Sequence, residues 1–242
     1  MLCVPPDKKD DPLFKRGIAE KKKWAQQMLK KYGSFAKVAY VESKAVGFIQ
    51  FKPIPDKKLV EIDCIFVPNR DYQHKGIGKL LLNAFLEDMK NPKPYFGNDI
   101  PYGVITYAFE TPAGYPQHKF YEKMGFRHAS KDDPFLLYYP LKENFVYTPS
   151  REFIPQEEDR GKALIFMDPN CPYCIHFVEG IKKAIKTISD KVSIRVINVF
   201  EEEDEVKKRG TIPFCAVNQR PIKSFYLDKE NFEREVKEAL NA

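Results

Sequence analysis

Residues 59–89 constrain this chain more than any other stretch. Residues 59–67 form a strand-like apolar run that breaks into Pro68-Asn69-Arg70-Asp71. Gly76 and Gly78 then open a helix with an apolar stripe at Ile77, Leu81, Phe85 and Met89. A strand that turns through Gly-x-Gly into a helix predicts an α/β layer. Without side chains at 76 and 78, backbone N–H groups can approach an anion, and a helix N-terminus adds unpaired donors and a positive dipole end. Lys75 and Lys79 add charge. The spacing is not that of a Walker loop, and a lone Gly-x-Gly also fits an ordinary turn.

Within the same strand, Val60, Ile62, Cys64 and Phe66 fall on an apolar face. Glu61 and Asp63 fall on the other, about 6–7 Å apart. Two carboxylates in an apolar run are costly unless their face opens to water or to a site. They are candidate proton acceptors, with a partly solvated strand edge as the competing reading. Cys64, on the apolar face, is not expected to act as a nucleophile.

Residues 13–31 predict an amphipathic helix with Phe14, Ile18, Trp24, Ala25, Met28 and Leu29 as its apolar groups. Strands are expected at 36–41, 46–51, 104–109 and 135–139, with a short helix at 118–123. A polar, Pro-containing stretch at 142–161 marks a boundary, giving domains 1–145 and 162–242 with 146–161 as linker. Beyond it the order is β-α-β-α-β-β-α, with strands at 163–167, 192–199, 213–217 and 222–227 and helices at 171–188, 201–208 and 231–240. The fold class is α/β.

The second helix-opening motif is Cys171-Pro172-Tyr173-Cys174. Asn170 is positioned to cap the helix and Pro172 suits its first turn. Cys174 shares a stripe with Val178, Ile181, Ile185 and Ile188, which predicts a buried thiol, whereas Cys171 sits at the tip, where the dipole favours thiolate. An exposed attacking thiol beside a shielded resolving one suits thiol–disulfide exchange. Cys171, Cys174 and His176 supply only three ligands at a spacing unusual for zinc, so no metal is expected.

The five cysteines and the absence of a basic, apolar leader at residues 1–11 argue against a secreted disulfide framework. No apolar run approaches the ~20 residues that cross a bilayer, so a soluble, cytoplasmic protein is expected. Residues 1–145 carry 24 Lys and Arg against 17 Asp and Glu, and the rest is nearly balanced. That excess suits a compact polyanion, and with no reading motif nucleic acid is not an expected partner.

Gln73-x-x-Gly76-x-Gly78 resembles the Q/R-x-x-G-x-G/A motif of the GNAT superfamily of N-acetyltransferases. Phe120-Tyr121-Glu122-Lys123-Met124-Gly125-Phe126 resembles the superfamily's F-Y-x-x-x-G-F signature. The likeness spans residues 13–141 and implies a mixed sheet flanked by helices, with acetyl-CoA as cofactor. It implies that Phe66 and Val67 pair with the pantetheine arm, and that Gln73, His74, Lys75, Gly76, Ile77, Gly78 and Lys79 hold the pyrophosphate. Tyr121 would protonate the departing thiolate. Glu61, six residues before Val67, would be the base, with Asp63 the alternative. The usual first strand is missing or shrunk to residues 2–4, and one helix stands where two are common. The acceptor is therefore open, a small-molecule or peptide amine.

Cys-Pro-Tyr-Cys is similar to the glutaredoxin motif, and Thr211-Ile212-Pro213 resembles the Thr-x-Pro of thioredoxin-like folds, which implies a cis Pro213 beside the dithiol. Asn218-Gln219-Arg220-Pro221 replaces the glutaredoxin glycine pair, which puts glutathione binding in doubt. The whole arrangement is similar to acetyltransferases with a YoaP-like C-terminus. The expected function is acetyl transfer to an amine, with a dithiol domain of redox or acceptor-binding role. The alternative is a thiol-redox or thiol-binding protein that uses its first half as a CoA-binding module.

Overall fold

The computed structural model describes residues 2–108, 116–131, 133–149 and 152–241. It divides into two compact units, Met1–Cys3 with Gln26–Pro149 and Val4–Ala25 with Ser150–Ala242. The first helix, α1 (Pro12–Tyr32), contributes to both. Residues 4–25, expected with the N-terminal domain, pack in the second unit instead. The stripe is also altered: Phe14, Gly17, Lys21, Trp24 and Met28 are buried, whereas Leu29 is exposed.

In the first unit β1 (Ala36–Val41) and β2 (Lys44–Ile54) form a hairpin turned by Glu42 and Ser43, both at positive φ. β3 (Leu59–Phe66) leads into α2 (Ile77–Met89), followed by β4 (Gly103–Tyr107), α3 (Gln117–Lys123), β5 (Arg127–His128) and β6 (Leu136–Pro140). Phe109, expected to end β4, lies outside the described residues. The strands order β1-β2-β3-β4-β6-β5, and only β3 and β4 run parallel, as their crossover through α2 requires. That parallel ladder joins Leu59–Ile62 to Gly103–Thr106 and stops. Among the described residues, β3 from Cys64 to Phe66 pairs with β2 alone, so the sheet opens along one edge of β3.

β3 also carries a bulge. Gln50 faces Cys64 and Phe51 faces Ile62, which leaves Asp63 as an extra residue. A bulge re-aims the side chains beyond it. Val60, Ile62 and then Ile65 enter the core beneath α2, with Leu82, Phe85, Tyr121 and Phe126. The expected run of Val60, Ile62, Cys64 and Phe66 is corrected accordingly: Cys64 is half-buried and Phe66 is 39% exposed. Leu59, Ile105 and Tyr138 form a separate cluster with Phe145 and Tyr147.

In the second unit β7 (Lys162–Met167) is followed by α4 (Cys174–Ile188), β8 (Ser193–Asn198), α5 (Glu203–Lys207), β9 (Cys215–Val217), β10 (Arg220–Ile222) and α6 (Lys229–Leu240). The sheet order is β10-β9-β7-β8, parallel only between β7 and β8. Ala163, Ile165 and Met167 pack with Val178, Ile181, Ile185, Phe232 and Val236, and Leu13 of α1 joins them. The strand expected at 222–227 ends at Ile222. There Glu235 of α6 accepts from the backbone of Lys223 at 2.6 Å and Ser224 at 3.2 Å, and from the Ser224 hydroxyl at 2.6 Å. No helix among the described residues is long and apolar enough to cross a membrane.

Candidate functional sites

The loop after β3 is held by its own polar groups. The Asn69 side chain accepts from Asp71 N at 2.9 Å, and Gln73 Nε2 donates to Val67 O at 2.9 Å. Gln73, expected on the pyrophosphate, thus ties the loop to the strand end. His74 (φ 58°) and Gly76 (φ 80°) then swing the chain into α2. Its N-cap residue, Gly76, has no side chain with which to cap it, and the N–H groups of Ile77, Gly78 and Lys79 lack the intrahelical acceptors that later turns enjoy. Gly76 supplies a left-handed turn that a β-carbon would disfavour by about 1 kcal/mol. Gly47 of β2 backs the loop: a Cβ there would lie 3.1 Å from Val67 Cγ2 and 3.3 Å from Ile77 Cγ2. Sequence reasoning missed Gly47, although a glycine inside a strand signals close approach.

Tyr121 is 1% exposed, its ring 5.0 Å from Phe126. The signature around it is a helix stop. Gly125 (φ 89°) ends α3, Gly125 N donates to Glu122 O and Phe126 N to Tyr121 O, both at 3.0 Å. This Schellman turn folds Phe126 back onto Tyr121. Burial pushes the Tyr121 phenol well above its ordinary pKa; the Thr106 hydroxyl, hydrogen-bonded to it, opposes this, and nearby Cys64 adds to it. Thr106 Oγ1 donates to Ile62 O at 3.1 Å. Ile62 and Thr106 are the last β3–β4 pair, so the phenol sits where the strands part.

Glu61 and Asp63 are brought together, but around a cation. Lys52 Nζ lies 3.3 Å from Glu61 Oε2 and 3.1 Å from Asp63 Oδ1. Gln50 Nε2 donates to Asp63 Oδ2 at 3.4 Å. Lys52 faces Glu61 across the β2–β3 ladder, and its charge offsets the cost of burying the Asp63 carboxylate. Asp63 is 5% exposed on its side chain and Glu61 30%. Glu61 also lies near Tyr147, whose phenol is pushed up by burial and by that charge.

At the dithiol both cysteines are reduced: Cys174 is buried as expected, whereas Cys171, expected at an exposed tip, is half-buried. Burial, first, and then the neighbouring Cys171, Glu20 and Asp168 push the Cys174 thiol up to about 12. The helix starts at Cys174 rather than Cys171, and Asn170 does not cap it; Asn170 N and Nδ2 donate to Asp168 at 3.0 and 3.1 Å. Among the described residues no peptide bond is cis, so the expected cis Pro213 is corrected to trans. The chain before it is anchored by Thr211 N donating to Glu152 O at 3.0 Å.

The first unit is a mixed sheet that parts beside a glycine-turned helix, and the second carries a dithiol at the start of a helix. Residues 32–128 match the acetyltransferase (GNAT) domain model and residues 160–242 the thioredoxin model. The chain carries a GNAT acetyltransferase domain, an acyltransferase whose acyl donor is acetyl-CoA, and a thioredoxin-like domain. Similar solved structures include a PaiA N-acetyltransferase from Thermoplasma acidophilum in complex with coenzyme A, at 22% identity, 52% of this chain, 70% of that chain and TM-score 0.38. Another is the ribosomal-protein-S18-alanine N-acetyltransferase from Escherichia coli, at 16%, 52%, 81% and 0.36. Ard1 from Thermoplasma volcanium is a third, at 18%, 49%, 78% and 0.35. A comparison with curated proteins finds no match.

Proposed function

We propose that this chain transfers acetyl from acetyl-CoA to a small-molecule or peptide amine by direct attack. The observation that carries this reading is the parting of β3 and β4 at Ile62 and Thr106, with the Tyr121 phenol at its apex. The uncapped N-terminus of α2, flanked by Lys75 and Lys79, suits a pyrophosphate. The free edge of β3 toward Phe66 and Val67 suits an amide-bearing arm. Bound acetyl-CoA would supply the activated acetyl thioester.

Tyr121 holds a proton at Oη through neutral pH because its burial disfavours the phenolate, which suits a general acid toward a leaving thiolate. Glu61, the more exposed of the two carboxylates, takes the amine proton directly or through water. Lys52 orients it, and Asp63 braces Lys52. Glu61 neighbours Tyr147, which packs in a different cluster from Tyr121, so the proposed acid and base belong to different faces of the sheet.

The test is calorimetric titration of acetyl-CoA into the reduced protein, followed by a screen of amines. Micromolar binding without turnover of any amine would favour a second reading, a thiol-disulfide role for Cys171 and Cys174. Their contrast in burial, a half-buried thiol beside a buried one, supports that reading. Absence of binding would refute the acetyl-transfer reading.

A further inference from the structure

The Cys171–Cys174 turn is covered by a segment of the chain's own N-terminus. Phe14, Gly17 and Lys21 are buried positions at three- and four-residue spacing, so they line one face of α1. The Phe14 ring meets Tyr173 edge-on at 4.7 Å and stacks on His176 at 5.7 Å. At Gly17 a Cβ would lie 2.0 Å from Pro172 O and 2.9 Å from Pro172 C. The helix backbone therefore rests directly on the turn between the two cysteines, at a position that admits only glycine without a shift. Leu13 joins the domain core beside them, and the charge of Glu20 reaches Cys174. Contact at backbone distance over the very residues that separate the thiols is docking, not chance proximity.

We propose that the surface formed by Pro172, Tyr173 and His176 is a helix-binding site, and that residues 4–25 are its resident ligand, an intramolecular cap that bars macromolecules from Cys171. Half-buried Cys171 stays reachable by small thiol reagents. A folded or bulky partner needs α1 displaced first, and the population of the displaced state then sets its apparent rate. The cap acts whether or not the dithiol is redox-active, so its test is independent of that chemistry.

The experiment labels the full-length reduced protein with N-ethylmaleimide or with a maleimide carried on a long polyethylene glycol chain, reading the Cys171 peptide by mass spectrometry. The wild type is expected to react readily with the small reagent and slowly with the large one. Gly17→Ala, which puts a methyl into Pro172, and the milder Phe14→Ala should each speed the large reagent by about tenfold or more, as expected if the docked state is favoured by ~1.4 kcal/mol. The small reagent should change little. Adding a synthetic peptide of residues 4–25 to either variant should restore protection, which loss of folding would not allow. Equal rates of both reagents with wild type, or variants that leave the large reagent slow, would overturn the proposal.

Discussion

The Thr106 hydroxyl donates to the Ile62 carbonyl at 3.1 Å on the last rung that β3 and β4 share. Beyond that rung the strands separate, and the Tyr121 phenol joins the same hydroxyl. One threonine thus holds the opening's apex and the proposed acid in register.

Removing the phenol's proton tests that arrangement. Tyr121→Phe should lower kcat by about 100-fold, the lower end of what positioned proton transfer contributes, while acetyl-CoA affinity by calorimetry stays nearly constant. Thr106→Val should produce a smaller loss of the same kind. Parallel loss of kcat and affinity in Tyr121→Phe would remove its role as acid.

The glycines of the loop make separable demands. A Cβ at Gly78 meets only the Phe120 ring, at 3.7 Å, so Gly78→Ala should fold and bind acetyl-CoA within a few-fold of wild type. Gly78→Glu places a carboxylate at the helix N-terminus, where the pyrophosphate is proposed to bind, and should abolish binding. Retained affinity in Gly78→Glu would move the cofactor elsewhere.

The dithiol domain should weaken at alkaline pH. Cys174 and Cys215 are each raised from 9.0 to about 12, foremost by burial. A folded-state pKa above the unfolded one means stability is whole below pH 9.0 and falls as pH rises toward 12, because the unfolded chain releases the proton first. Denaturant midpoints measured from pH 8 upward should decline above about 9. Alkylation should reach Cys171 well before Cys174; the reverse order would contradict the burial pattern.

Arg209 is fully buried, with bonds of 2.9 and 2.6 Å to Asp159 and 2.8 Å to Glu205. Arg209→Ala strands the 2%-exposed Asp159 charge and should cost about 3–5 kcal/mol in chemical denaturation. Arg209→Ala with Asp159→Leu should recover much of that loss. A near-silent single variant would show that water screens the network.

Much of this was legible in the chain. The strand–turn–helix at Gly76-Ile77-Gly78, the helix stop at Gly125 and the burial of Cys174 follow from local periodicity and backbone preference, which neighbours in sequence settle between them; the half-burial of Cys171, expected exposed, does not. Lys52, by contrast, meets Glu61 only through β2–β3 register, and Thr106 meets Tyr121 only where α3 returns to β4. Neither partner is near in sequence, so no spacing announces the pair. The bulge at Asp63 likewise re-aimed Cys64 and Phe66 against a clean alternation.

Sequence alone determined which chemistry-bearing groups exist and which local elements carry them, because glycine turns, apolar stripes and helix ends are decided within a few residues. Only the tertiary structure decided where β3 and β4 part, which cation sits between Glu61 and Asp63, and that Gly17 rests on Pro172. Those relations depend on strand register and on the close approach of backbones distant along the chain, where a single β-carbon changes what can touch.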